Sequence, residues 1–261
     1  MSKTARPDKR ERRSLLTVYG RNAVLEAMQD RSLECRTLHL ASSNRSGGSI
    51  RDISVLAERL QLDTRTHTRE ALARISRNGR QDQGVALDIY CPQMRDVQDY
   101  INGLRNTTSE RLLALDGVTN PQNMGMAIRS AAAAGIHGVL YAERGNPALG
   151  PLVIKASAGA VFRAPLLRCA SVAGALGQLA DAGFALYRLQ ADSAESLYEK
   201  QEYAQRSIFV LGGETHGVSE AVSALPGKNI AIPMAKGVES LNVAVSAALL
   251  CYELRRRAGV A

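Results

Sequence analysis

The chain has 261 residues, 45% hydrophobic and 22% charged and without Trp, which suits one large or two ordinary domains with a Leu, Val, Ile and Ala core. A formal net charge of +8 favours a polyanionic partner. The four cysteines (Cys35, Cys91, Cys169 and Cys251) stand far apart with no CxxC pair, which excludes zinc-ligand or disulfide spacing and points to reduced thiols in a cytoplasmic compartment; nor does any apolar run approach the roughly 18 residues of a membrane span.

Residues 1–13 hold six basic and two acidic side chains and almost nothing to bury, so they read as a basic flexible tail rather than a secretory signal. Residues 14–91 read as a compact α/β unit. YGRNAVLEAM predicts a helix entered after Gly20, with Val24, Leu25 and Met28 on one face. TLHLA (37–41) is a short strand, and SIRDISVLAERLQ (49–61) is an amphipathic helix carrying Ile53, Leu56 and Leu60 at helical spacing. GVALDIY (84–90) closes the unit, and residues 92–110, with Pro92, Gly103 and the polar run NTTSE, read as a linker.

RLLALD (111–116) opens the second domain, 111–261, as a buried strand. A helix from about Asn123, a strand at 137–141, and helices near 152–157 and over 172–182 follow. Strands are expected at 184–189, 207–212 and 229–234, before a long helix from about Leu241 to Arg256. Such alternation predicts a mostly parallel sheet with helices on both faces, whose ligands sit beyond the carboxyl ends of the strands.

Three stretches that mix small with polar residues fall at those ends. In NPQNMGMAIRSAAAAG (120–135), Asn123 and Arg129 flank Gly125. A helix N-terminus there would favour an anion such as an RNA phosphate; equally, Arg129 could be a solvated helix residue and Asn123 a cap. LGGETHGVSE (211–220) follows an apolar strand. Its glycines let backbone approach a ligand closely, Glu214 can accept hydrogen bonds or cap the helix near Ser219, and isolated His216 reads as a loop residue. Neither a P-loop lysine nor a GxGxxG pattern is present. In IPMAKGVESLNVAVSAALLCYEL (232–254), Ser240 and Asn242 stand where the last helix begins. An ordinary Ser N-cap would account for Ser240 but not for its combination with Asn242 and the preceding loop.

In this order and at these separations the stretches resemble the three motifs of the SpoU/TrmH family of RNA ribose 2′-O-methyltransferases: NxGxxxR, a glycine-rich GxE loop, and IPM…SLN. YGRNAVLEAM and QGVA (83–86) are similar to the N-terminal domain of the family's 23S rRNA guanosine branch. The resemblance implies a C-terminal SPOUT domain, trefoil-knotted around a mostly parallel sheet, and a small L30e-like α/β RNA-binding domain at 14–91. It also implies a homodimer without metal, acting on RNA, with S-adenosylmethionine as cofactor. Cofactor contacts would come from Leu211, Gly212, Gly213, Ile232, Pro233, Met234, Leu241 and Asn242. Arg129 would activate the ribose hydroxyl, supported by Asn123, Glu214, Ser240 and Asn242. The chain departs from the family pattern at Thr215, where glycine is usual, and at Ala244, where a second serine is common. Ribosomal RNA guanosine is the favoured substrate. A tRNA methyltransferase, an rRNA resistance methyltransferase and a non-catalytic ribosome assembly factor are the alternatives.

Overall fold

The computed structural model of the protein describes residues 14–105, 109–199, 202–236 and 238–259; the expected tail at 1–13 lies outside them. Chain contacts divide it between Pro92 and Gln93 into two units.

The first unit runs β1 (Leu15–Tyr19), α1 (Arg21–Gln29), β2 (Glu34–Ala41), α2 (Gly48–Arg59), β3 (Asp63–His67), α3 (Arg69–Ser76) and β4 (Val85–Tyr90). Its sheet has the order β1-β4-β2-β3, antiparallel except for the β2–β3 pair. Helix α1 buries Val24, Ala27 and Met28, and α2 buries Ile50, Ile53 and Ala57. The expected stripe on α2 is therefore shifted, and Leu60 is left 43% exposed. Strands β1 and β3 and helix α3 were not anticipated. DTRTH has no apolar alternation, and β3 exists because it pairs along β2 at the sheet edge. Helix α3 starts where the Thr68 hydroxyl accepts the Ala71 N–H at 3.2 Å.

A polar ladder crosses all four strands. The Thr17 hydroxyl donates to Asp88 Oδ1 at 2.6 Å, His39 Nε2 lies 3.1 Å from Asp88 Oδ2, and His39 Nδ1 lies 3.0 Å from His67 Nε2. With the carboxylate accepting from His39 Nε2–H, a neutral His39 accepts at Nδ1 and His67 Nε2–H donates. Burial, followed by the neighbouring His39 and Arg65, holds the His67 pKa below its usual 6.5. Such a group binds its proton more readily in the unfolded chain, so its contribution is complete above about pH 6.5 and is lost as pH falls towards the depressed folded value. Urea unfolding followed across pH 7.5 to 5 should show stability falling on acidification, and His67→Gln should flatten that slope; an unchanged slope would remove His67 as its source.

The second unit begins inside the stretch read as a linker. There β5 (Arg95–Asp96) pairs with β8, and α4 (Val97–Asn102) buries Val97 and Tyr100 in the core. Spaced three apart among polar neighbours, these two residues left little apolar signal. Next come β6 (Glu110–Asp116), α5 (Pro121–Ala134), β7 (Gly138–Ala142), α6 (Pro151–Ala156) and a 3₁₀ turn at Ala160–Phe162. Strand β8 (Leu166–Cys169), α7 (Val172–Asp181), β9 (Ala185–Leu189) and β10 (Arg206–Gly212) follow, then α8 (Glu220–Ser223), β11 (Lys228–Ile230) and α9 (Val243–Arg257). The sheet order is β11-β9-β10-β6-β7-β8-β5, and every pair between named strands is parallel.

Strand β6 is the sheet's centre, with Leu112, Leu113, Ala114 and Leu115 at most 1% exposed. Successive strands leave it in opposite directions, β7 to one side and β10 to the other. This is the switch point at which sheets of this kind open a crevice. The expected strand at 229–234 stops at Ile230, so Ile232, Pro233 and Met234 are free of the ladder. All four cysteines are free thiols, and burial pushes Cys35 up to about 11 and Cys91, Cys169 and Cys251 up to about 12. None is a thiolate at neutral pH. No helix among the described residues is long and apolar enough to cross a membrane.

Candidate active site

A cavity of about 600 Å³ opens beyond the carboxyl ends of β9 and β10. This lies within the roughly 300–1,000 Å³ of small-molecule sites. Leu211, Gly212, Gly213 and Glu214 form one wall, Ile232 and Met234 a second, and Ser240, Leu241 and Asn242 a third. Of the expected cofactor residues only Pro233 is not part of the lining.

Register explains the first wall. Gly212 pairs with Asp116, so the chain leaving β10 runs directly over the chain leaving β6. A Cβ on Gly213 would collide with the Gly117 carbonyl, and one on Gly212 would collide with the backbone of Gly217 and Val218. Gly213 and Gly217 then close a tight loop through reciprocal N–H···O bonds of 3.0 Å. These glycines thus let two backbone segments cross, in addition to facing the cavity. At the crossing, Asp116 Oδ2 accepts the Ser219 N–H at 2.7 Å, holding the entry to α8. Thr215 sits in this loop without a positive φ, so a β-branched residue is not strained there. His216 lines the cavity as well.

The last helix begins at Val243, two residues later than expected, and its N-cap is Asn242 rather than Ser240. Asn242 Oδ1 accepts from the N–H groups of Ala244 at 2.8 Å and Val245 at 3.4 Å. Because the oxygen is committed to the cap, the amide nitrogen must point away, and Nδ2 donates to Asn123 Oδ1 at 3.1 Å. Asn123 is oriented in turn, and its Nδ2 donates to Glu214 Oε1 at 2.7 Å. One relay therefore joins the three motifs. Helix α5 also starts two residues earlier than expected, with Pro121 at its first position and Asn120 as N-cap; Asn120 Oδ1 accepts from Gln122 N at 2.8 Å. Asn123 is thereby moved into the first turn, where it is 6% exposed and points inward. Gly125 belongs to packing: a Cβ there would stand 2.6 Å from Ala156 Cβ and 2.7 Å from the Val153 carbonyl of α6.

Arg129 is not brought into this group. Six residues after Asn123, it faces about 120° away from it around the helix axis. It is exposed, is not part of the cavity lining, and is paired with nothing among the described residues. Ser240 borders the cavity but is exposed. Asp116, Asn120 and His216 are parts of the site that sequence reasoning did not assign. The Asn-Pro pair at 120–121 carried a helix-start signal that could have located the first cap.

No group of three or more His, Cys, Asp or Glu residues suited to a metal occurs among the described residues. The donor set suits an organic ligand instead. The N–H groups of Ile232, Met234 and Leu241 donate to no described residue, and all three residues border the cavity.

Comparison with known proteins defines the class. The model of the SpoU rRNA Methylase family matches residues 110–252, and that for RNA 2′-O ribose methyltransferase substrate binding matches residues 17–94. The chain belongs to the SpoU rRNA methylase family. An uncharacterized tRNA/rRNA methyltransferase of Mycolicibacterium vanbaalenii is 32% identical over 241 residues, 92% of this chain and 76% of that protein. The SpoU methyltransferase AviRb of Streptomyces viridochromogenes, in complex with AdoMet, superposes with a TM-score of 0.66 at 23% identity over 95% of this chain and 92% of its own. An AdoMet-bound rRNA methyltransferase of Sinorhizobium meliloti gives 0.62 at 20% identity over 94% and 88%. At those identities the likeness to both solved structures is one of fold.

Replacing Asn242 by Ala should lower stability in urea unfolding by roughly 1–2 kcal/mol through loss of the cap. Asn242→Ser should recover most of that loss, because a hydroxyl caps the helix without setting a second carboxylate beside Asn123 and Glu214. If the Ser variant is no more stable than the Ala variant, capping is not what Asn242 contributes.

Proposed function

We propose that the chain transfers a methyl group from S-adenosylmethionine to a ribose 2′-OH of RNA, with a guanosine of 23S-type rRNA as the favoured target, and that it works in the cytoplasm as a homodimer. The observation that carries this reading is the Glu214–Asn123–Asn242 relay beside a cavity that has unused backbone donors. The fit of the cofactor rests on those N–H groups, which suit the adenine edge, and on the apolar Leu211, Ile232 and Leu241 side chains, which suit its faces. When bound, S-adenosylmethionine supplies a sulfonium-activated methyl group.

The chain's task is to place a weak nucleophile in line with that methyl and to manage one proton. Glu214 forms a polar part of the cavity wall, and the buried Asn123 behind it, oriented by Asn242 from the start of α9, holds it there. Arg129 grips the target phosphate and stabilises negative charge developing on the ribose oxygen. A guanidinium with a pKa above about 12 does not act as the base. The proton leaves to that phosphate or to water.

An exposed Arg129 serves this role if a second subunit completes the site. Met126, one turn before Arg129 on α5, is 42% exposed, and Val245, Leu249 and Tyr252 form a stripe on α9 that is 47%, 38% and 52% exposed. Helix α9 packs along α5, so these exposed residues stand on neighbouring helices. Burying that stripe against its equivalent would carry Arg129 into the interface.

The deciding experiment is transfer of labelled methyl to ribosomal RNA lacking its own modifications, with mapping of the product. A single labelled ribose, abolished by Arg129→Ala and reduced at least tenfold by Arg129→Lys, is expected. Wild-type turnover by the Lys variant would remove the arginine from the chemistry. Absence of transfer to rRNA and tRNA, with RNA binding intact, would favour an assembly factor. Leu249→Glu should halve the sedimenting mass and abolish transfer while cofactor binding persists; a fully active monomer would overturn the dimeric site.

A further inference from the structure

The two N-terminal motifs, YGRN and QGVA, meet in the folded first unit without having been given a task by the proposed reaction. The Gly20 N–H donates to the Val85 carbonyl at 3.2 Å, the Arg21 N–H to Gln83 Oε1 at 3.0 Å, and Arg21 Nε to the Gln83 carbonyl at 3.2 Å. Gln83 takes a φ of 52° to make these bonds, a left-handed conformation that is costly for a residue with a Cβ. Next to it, a Cβ on Gly84 (φ 79°) would strike the side chain of Asn44, whose Nδ2 donates to the Gly84 carbonyl at 2.8 Å. A strained residue and an obligatory glycine thus fix Arg21 and Asn44 beside each other.

What they border is a second cavity, of about 450 Å³, into which Arg45 and Arg69 also face. No Asp or Glu contributes to its lining. Glu70, the acidic residue next to Arg69 in the chain, is hydrogen-bonded to its own backbone and to Thr68, which hold its carboxyl below the usual range. Three helices also begin here: Arg21 and Arg69 are the first residues of α1 and α3, and Gly47, another lining residue, is the N-cap of α2. Neither α1 nor α2 has a side-chain cap or an acidic residue in its first turn. Their partial positive charges add to those of the three guanidinium groups instead of being neutralised. No aromatic ring lines the cavity, so the positive charge of its arginines is its dominant feature.

We propose that this cavity is a phosphate-binding site of the first unit, at which Arg21, Arg45 and Arg69 clamp the backbone of the RNA substrate without reading its bases. The inference rests on the reading of RNA as the substrate. Arg21 is held by Gln83, so it is the preset member of the clamp, and the exposed Arg45 and Arg69 close on the RNA.

The test is the salt dependence of binding to in vitro-transcribed, unmodified 23S rRNA. Arg45 and Arg69 make no hydrogen bond to a described residue, so the double variant R45A/R69A should keep the fold. Two lost phosphate contacts should reduce the slope of log K against log salt by about 1.4–1.8, and the affinity at about 0.1 M salt by roughly 25- to 60-fold. R45K/R69K should retain most of the slope, because charge rather than fork geometry sets it. A slope for R45A/R69A equal to that of the unsubstituted chain overturns the proposal, as does RNA binding by the unsubstituted chain that ignores salt. Methyl transfer measured in parallel separates the two readings: a changed slope without transfer keeps the clamp and removes the reaction, whereas transfer with coincident slopes keeps the reaction and removes the clamp.

Discussion

The hydrogen bonds that Asn242 Oδ1 accepts from the first N–H groups of the last helix are the constraint on which the site depends. A side-chain amide has one acceptor end and one donor end. Once α9 takes the oxygen, the direction of each later bond is settled: Asn242 must donate to Asn123, and Asn123 must donate to Glu214. These residues stand 91 and 119 positions apart in the chain, so the relay forms only when β6, β10 and α9 have reached their final places. Each bond is worth only about 1 kcal/mol net. Its larger effect is geometric, since it presents the Glu214 carboxylate to the cavity from a fixed position.

The two units carry cavities of different chemistry. The second unit supplies a cavity with unused backbone donors, suited to a small organic molecule. The first supplies a basic cavity without rings or acids, suited to a repeating anionic chain. Each is built by the same device, a glycine at a place where another loop's backbone or side chain leaves no room for a Cβ.

Much of this was legible in the sequence because long elements carry strong periodicity. RLLALD and SIFVLG are uninterrupted apolar runs, and both became central parallel strands. Short or polar elements were not legible. DTRTH is a strand through pairing alone, and α4 hides two buried residues among polar ones. The site was legible in content but not in arrangement. The motif residues Asn123, Glu214 and Asn242 do converge, yet which asparagine caps which helix depended on boundaries two residues away from those expected. That Arg129 points away from Asn123 within one subunit follows from six residues at about 100° each.

The crossing of the chain at Gly117 with the loop from Gly212 to Val218 is made of backbone atoms, and this separates what can change from what cannot. A substitution at Gly212 or Gly213 disturbs the frame itself, while the exposed Thr215 and His216 take ordinary backbone angles that other residues can adopt. The socket of the cavity is therefore set by the path of the backbone, and only its rim is set by side chains.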